Sequence, residues 1–177
     1  MPGTFGDQSK EYLKQLLLLI DKGIGGKSIS VTPTITTTNV PYSSGDVIGG
    51  LITLTGASRA SSKTSILKSI HIRDDNNQKQ PLTFLLFNVD PSTGATIIDN
   101  TAFAYGSSAF SKQICKVNVD TTDYETIDSK GVADIDNFNK VISSNNGTFY
   151  LIILTTGTPT FGANSTSLQI TFNFLQD

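Results

Sequence analysis

Residues 148 to 177 constrain what this chain can fold into more than any other stretch. They open with Phe149-Tyr150-Leu151-Ile152-Ile153-Leu154, an apolar run rich in β-branched and aromatic side chains. Gly157-Thr158-Pro159-Thr160 breaks the run, and Pro159 has no N–H to give to a sheet ladder. After Ala163-Asn164-Ser165 the chain alternates: Leu168, Ile170, Phe172 and Phe174 fall on one face, Gln169, Thr171 and Asn173 on the other. A period of two marks a strand with one buried face. The earlier run is apolar throughout, so its strand is expected to be central and covered on both faces. Two strands joined by a short Gly/Pro/Asn/Ser segment read as an antiparallel pair, the expected centre of an all-β core.

The 177 residues suit one domain with a real core, close to the ~150 residues of common single domains. Net charge is −2 and only 16% of residues are charged, so no basic surface is dedicated to a phosphate backbone and nucleic acid is not an expected partner. Cys115 is the single cysteine, which excludes an intrachain disulfide and leaves stability to packing or assembly. The start lacks a basic segment followed by an apolar one and a small-residue cleavage site, so no secretion signal is expected. The apolar run at residues 16–20 is far shorter than the ~20 residues needed to span a bilayer. The expectation is synthesis in a cytoplasm, solubility until assembly, and no membrane partner.

Residues 10–21 read as a short N-terminal α-helix with Leu13, Leu16, Leu17 and Ile20 at helical spacing. Leu18 and Leu19 widen that stripe until the last turn is apolar almost all round. Such a helix needs more cover than one neighbouring face supplies. It either lies across the β domain or docks on another subunit, which makes Leu13, Leu16, Leu17, Leu18, Leu19 and Ile20 the candidate interface. Gly23-Ile24-Gly25-Gly26-Lys27-Ser28 ends like a phosphate loop, but Asp21 stands where the loop's first glycine belongs. The order is also reversed, because a phosphate loop follows a strand and opens a helix. The segment reads instead as a flexible joint between residues 1–27 and a β domain of residues 28–177.

Within that domain, strands are expected at residues 28–37 (an edge strand, because of Pro33), 47–55, 65–73, 81–89 and 113–119. Gly49-Gly50 inside the second suggests a bulge or a close approach of backbone. In the third, Ile66, Ile70 and Ile72 should point inward and His71 outward. Residues 99–112 read as a loop with a helical turn near Ser108, residues 120–130 as an acidic irregular loop, and residues 132–142 as one more strand with near-helical spacing. With the two C-terminal strands the count is about eight, suited to an antiparallel β-sandwich of jelly-roll type.

No nucleophile–base–acid arrangement is visible. His71 is the only histidine, and the pattern puts it outside while Cys115 faces the core, so the two should not meet. One His and one Cys cannot supply a usual zinc set, and neither cofactor nor catalytic residue is assigned. Asp120, Asp123, Glu125, Asp128, Asp134 and Asp136 crowd one region and could offer oxygens to calcium, but without the EF-hand spacing they read as a solvated acidic loop. Asn146-Gly147-Thr148 and Asn164-Ser165-Thr166 match glycosylation acceptors, which without a secretion signal read as chance.

Several segments together resemble a family of small structural proteins encoded by tailed bacteriophages and prophages. They are Val31-Thr32-Pro33-Thr34, Tyr42-Ser43-Ser44-Gly45-Asp46-Val47-Ile48-Gly49-Gly50-Leu51, Leu85-Leu86-Phe87-Asn88 with Asp90-Pro91, Asp99-Asn100-Thr101-Ala102-Phe103, Gly157-Thr158-Pro159-Thr160 and Leu175-Gln176-Asp177. The similarity spans residues 30–177 and leaves out the N-terminal helix. The resemblance implies a non-enzymatic virion protein, an auxiliary capsid (decoration) protein with a jelly-roll-like sandwich. It further implies the major capsid protein as partner and a homo-oligomer, a trimer among the options. A second reading is a carbohydrate- or host-surface-binding module of a head or tail fibre, with Tyr42, Tyr105 and Phe161 as its candidate exposed aromatics.

Overall fold

A computed structural model describes residues 10, 12–15, 26–59, 64–144 and 146–176. Among them, strands form where the apolar pattern is dense. They are β1 (Lys27–Val31), β2 (Val47–Leu54), β3 (Thr64–Asp74), β4 (Leu82–Phe87), β5 (Ala95–Thr96), β6 (Ala104–Tyr105), β7 (Gln113–Val119), β8 (Tyr124–Ile127), β9 (Lys130–Ile135), β10 (Lys140–Ser143), β11 (Phe149–Thr155) and β12 (Leu168–Gln176). A one-turn helix, Ser107–Phe110, lies where the sequence placed a helical turn.

Two antiparallel sheets pack face to face. One has the order β1-β12-β3-β9-β8, with β10 also on β3; the other has the order β2-β11-β4-β7. Strands β9 and β10 share one lane, pairing with the Ile70–Asp74 and Thr64–Leu67 halves of β3. With the added edge strand β8 set aside, the other eight lanes, numbered along the chain, run first-eighth-third-sixth in one sheet and second-seventh-fourth-fifth in the other. That is a jelly roll, as the strand count suggested.

The jelly-roll order corrects one expectation. β11 and β12 are not a hydrogen-bonded pair: β11 lies between β2 and β4, and β12 between β1 and β3. The connector of residues 156–167 is far longer than a two-to-five-residue hairpin loop and carries the chain from one sheet to the other. The two strands meet through side chains instead. Phe149 and Phe174 stack with ring centres 6.3 Å apart, and Phe84 of β4 meets Phe172 edge-on at 5.9 Å.

The alternation of β12 holds, with Leu168, Ile170, Phe172 and Phe174 in the core. β4 is buried at every position and β11 on both faces. The outward side chains Leu85, Phe87 and Ile152 join Val47 in a second cluster, roofed by Leu51, Ile97, Phe103 and Tyr105. The β5–β6 ribbon is thus a cover for the four-stranded sheet. Burying four such side chains contributes roughly 1.5–3 kcal/mol each.

Other differences have local causes. β1 is an edge strand as expected but stops at Val31, two residues before Pro33. The Gly49-Gly50 bulge is present: both glycines have positive φ, and the β2–β11 register shifts there. Ile70 and Ile72 point inward, but Ile66 points outward and Leu67 takes the core position. Lys68 is an extra residue in β3, since Ser69 pairs with Asn173 and Leu67 with Phe174, and one extra residue reverses the faces. The acidic loop contains β8 and turns into β9 through Asp128 and Ser129, both at positive φ. Residues 132–142 are two strands rather than one, divided at 136–139 where Asn137 and Asn139 have positive φ.

Candidate functional site

Three of the segments singled out in the sequence meet in space. The Tyr42 ring is buried, edge-on to Phe161 at 5.9 Å. Its hydroxyl donates to Asp99 Oδ1 at 2.9 Å and accepts from the Thr38 N–H at 3.1 Å. Asp99 Oδ1 also accepts the Gly49 N–H at 2.7 Å, so one carboxylate oxygen ties residue 42 to the β2 bulge. The Tyr42 N–H donates to the Pro159 carbonyl at 2.9 Å, and the Gly45 N–H to the Thr155 carbonyl at 2.7 Å. Val47 and Phe103 donate to Thr101 and Gly45 carbonyls, and Asn100 donates back to Val47. Burial first, then the neighbouring Asp99 carboxylate, pushes the Tyr42 phenol well above its ordinary value and keeps it a hydrogen-bond donor. This is a brace, holding the β5–β6 cover and the β11–β12 connector to the start of β2.

The brace overturns part of the carbohydrate reading. Tyr42 and Phe161 are 1% and 2% exposed and cannot stack on a ligand. Tyr105 keeps one accessible side: it stacks on Phe110 at 5.6 Å, and Phe110 is 60% exposed. Tyr105 lines an open groove of about 540 Å³ with Gly94, Ala95, Thr96, Ala104 and Gly106.

Of the acidic residues, Asp123, Glu125 and Asp134 line one groove of about 180 Å³ together with Ile127 and Val132. Asp120 and Asp123 cap each other around a 3₁₀ turn, with the Asp120 N–H donating to Asp123 Oδ2 at 2.8 Å. Asp134 pairs with His71 Nδ1 at 2.6 Å on the exposed outer face of β3 and β9, and Asp136 is exposed. Among the described residues, no three His, Cys, Asp or Glu side chains lie close enough to hold a metal ion.

One buried carboxylate reads in the sequence only as part of a turn. Asp74, 1% exposed, accepts from the Asn76 and Lys79 N–H groups at 3.0 and 2.8 Å and fixes the β3–β4 turn. Burial raises its pKa, and also raises that of the nearby phenol of Tyr124. Cys115 sits in the core, where burial raises the thiol, so it acts as a small apolar side chain. Asn146 and Asn164 use their side-chain oxygens within turns, accepting from Thr148 N–H and from Thr166 and Ser167 N–H.

At the N-terminal end, residues 10 and 12–15 are helical. Tyr12 and Leu13 are 75% and 61% exposed. The other candidate interface residues, Leu16 to Ile20, lie outside the described residues, as do residues 23–25 of the expected joint. Among the described residues no helix is long and apolar enough to cross a membrane.

No protein-family model and no curated protein matches the chain. Solved structures with slight similarity include two virus particles. One is the native virion of Kashmir bee virus at neutral pH, with 9% identity and a TM-score of 0.27, covering 84% of this chain and 68% of that one. The other is a marine algae virus of the order Picornavirales, with 10% identity and a TM-score of 0.26, covering 86% of this chain and 69% of that one. Overlaps of this size carry no argument about family or function. The fold rests on the strand order itself: an antiparallel β-sandwich with jelly-roll connectivity.

Proposed function

We propose that the chain is a non-enzymatic structural protein of a virus particle, an auxiliary (decoration) protein that binds the outer capsid surface and stabilises the head. The observation that supports this best is the brace. Residues 42–50, 99–103 and 157–160 are far apart in sequence, each resembles the phage structural family, and together they form one hydrogen-bonded unit. A set of spaced matches that is also one physical object is a stronger resemblance than its separate pieces. On this reading the major capsid protein is the partner, and the chain is made in the host cytoplasm and located in the virion. Residues 1–27 form the docking or oligomerisation element of a homo-oligomer, a trimer among the options, and residues 28–177 form the roll. Electron cryo-microscopy of intact particles tests the placement. Density for the roll on the outer capsid lattice is expected; density confined to a fibre tip, or none, refutes it.

A second reading has one observation in its favour, the half-open Tyr105–Phe110 platform beside its groove. Aromatic faces with adjacent polar backbone suit sugar rings. Glycan-array binding that is lost in Phe110→Ala would support a carbohydrate-binding module in place of decoration.

A further inference from the structure

The outer face of the six-stranded sheet carries one apolar row. Leu175 on β12 pairs with Ile66 on β3, and Ile66 pairs on its other side with Val141 on β10. Further along, the same face shows Lys68, Ser69, His71 and Arg73. Ile66 reaches it only because the Lys68 bulge reverses the faces of β3. The row floors a groove of about 200 Å³, completed by Gly26, Thr64 and Gln176. That is below the ~300–1,000 Å³ of small-molecule pockets and suits a few aliphatic side chains. Val141 remains 62% exposed among the described residues. Gly26 lies tightly over the row: a Cβ there would come within 2.7 Å of Leu175 Cγ, so a glycine is needed for the chain to pass.

We propose that this groove is filled by the apolar segment Leu16–Ile20 of the same chain, a role that holds whether or not the protein sits on a capsid. Gly26, which borders the groove, is separated from Ile20 by only Asp21-Lys22-Gly23-Ile24-Gly25. At ~3.3–3.6 Å per extended residue, Ile20 stays within roughly 20 Å of Gly26. A tether of that length gives an effective concentration in the millimolar range, above that of a second copy in dilute solution. The segment is wholly aliphatic, as the row is. Leu13 lies about one helical turn before Leu16, and its 61% exposure fits a position beyond the groove. The stripe is then divided: residues 16–20 fasten the arm to its own roll, and Tyr12 and Leu13 face a partner.

Disulfide scanning tests this. In a Cys115→Ala background, Val141→Cys is combined in turn with Leu16→Cys, Leu17→Cys, Leu19→Cys and Ile20→Cys. The proteins are oxidised at low micromolar concentration. An internally bridged monomer in at least one combination is expected. Covalent dimers without bridged monomer would assign the groove to a neighbouring copy and overturn the proposal. The second measurement needs no cysteines. Hydrogen exchange of full-length protein should show protection at residues 16–20 that falls at least ~10-fold in Val141→Asp, a substitution at an exposed position. Equal exchange in both proteins overturns it. Neither readout depends on a capsid, so failure here is distinct from failure of the decoration reading.

Discussion

The brace makes a quantitative prediction through Tyr42. Changing Tyr42 to Phe keeps the buried ring and its contact with Phe161 but removes the hydroxyl. Asp99 Oδ1 then loses one of two donors, and the Thr38 N–H loses its acceptor. A hydrogen bond to a charged acceptor is worth about 1.5–3 kcal/mol, and a half-buried Asp99 places this one at the low end. With roughly 1 kcal/mol for the stranded Thr38 N–H, the total loss is about 2–3 kcal/mol, a fall in Tm of roughly 5–10 °C for a chain of this size. Asp99→Ala should cost about 3 kcal/mol, since it also strands the Gly49 N–H. The double variant should cost less than the sum by about 1–2 kcal/mol, because the shared bond is lost only once. Urea unfolding followed by circular dichroism measures all three. Tyr105→Phe is the control: its hydroxyl donates to Gln113 Oε1 at 3.2 Å from a half-buried position and should cost under about 1 kcal/mol. A Tyr42→Phe loss below about 0.5 kcal/mol, or a cycle with no coupling, refutes the brace as a stabilising unit.

Three further outcomes are expected. Gly49→Ala should cost about 2–4 kcal/mol and Gly50→Ala only about 1–2, measured by the same unfolding, because both have positive φ but only a Cβ at Gly49 strikes the buried Ile35, at 2.9 Å from Cγ2. Burial raises the phenols of Tyr42 and Tyr124 above their ordinary value of 10.0, so the native state holds those protons more tightly than the unfolded chain does. Their contribution is therefore complete below about pH 10 and is lost as pH rises above it. In this tryptophan-free chain, absorbance at 295 nm should show those two tyrosines ionising together with alkaline unfolding, and a Tyr42→Phe/Tyr124→Phe variant should lack that step. Replacing Leu16 and Leu17 by Ser should free the arm from its own groove and so weaken capsid binding or oligomerisation while circular dichroism shows an intact roll; unchanged assembly would remove the N-terminal element from the docking role.

The parts of the fold legible in the sequence are those set by local pattern. The alternation of Leu168, Ile170, Phe172 and Phe174, the two-sided burial of β11 and the bulge at Gly49-Gly50 all follow from side-chain period or glycine conformation. What stayed hidden depends on partners distant in sequence. Nothing local tells β11 that its neighbours are β2 and β4 rather than β12. The period of two puts Ile66 on the wrong face because one extra residue, Lys68, reverses it without leaving a glycine or proline as a sign. The β8–β9 hairpin reads as a loop because its turn uses Asp128 and Ser129 where glycine is usual. Tyr42 and Phe161 read as candidate exposed aromatics because they sit among turn residues; the long β11–β12 connector folds them inward, and Asp99, 57 residues from Tyr42, supplies the acceptor that lets the phenol be buried. That acceptor had a trace in the sequence, since Asp99 opens one of the family-like segments.

The brace and the apolar row lie at opposite ends of β12. The connector that holds Pro159 and Phe161 enters the strand at Leu168, and Leu175 is near its other end. Seven residue steps at ~3.3 Å each put Leu168 and Leu175 roughly 23 Å apart, well beyond the ~10 Å within which stability effects couple. Tyr42→Phe and Val141→Asp should therefore add to within about 0.5 kcal/mol in unfolding free energy. They should differ in kind as well. Val141 is exposed, so Val141→Asp should leave the Tm of the roll nearly unchanged while releasing the N-terminal segment; Tyr42→Phe should lower the Tm and leave the segment protected. If the two variants are strongly coupled, or if Val141→Asp unfolds the roll, then fold stability and N-terminal attachment are not separate devices, and the assignment of the arm to a groove distinct from the core fails.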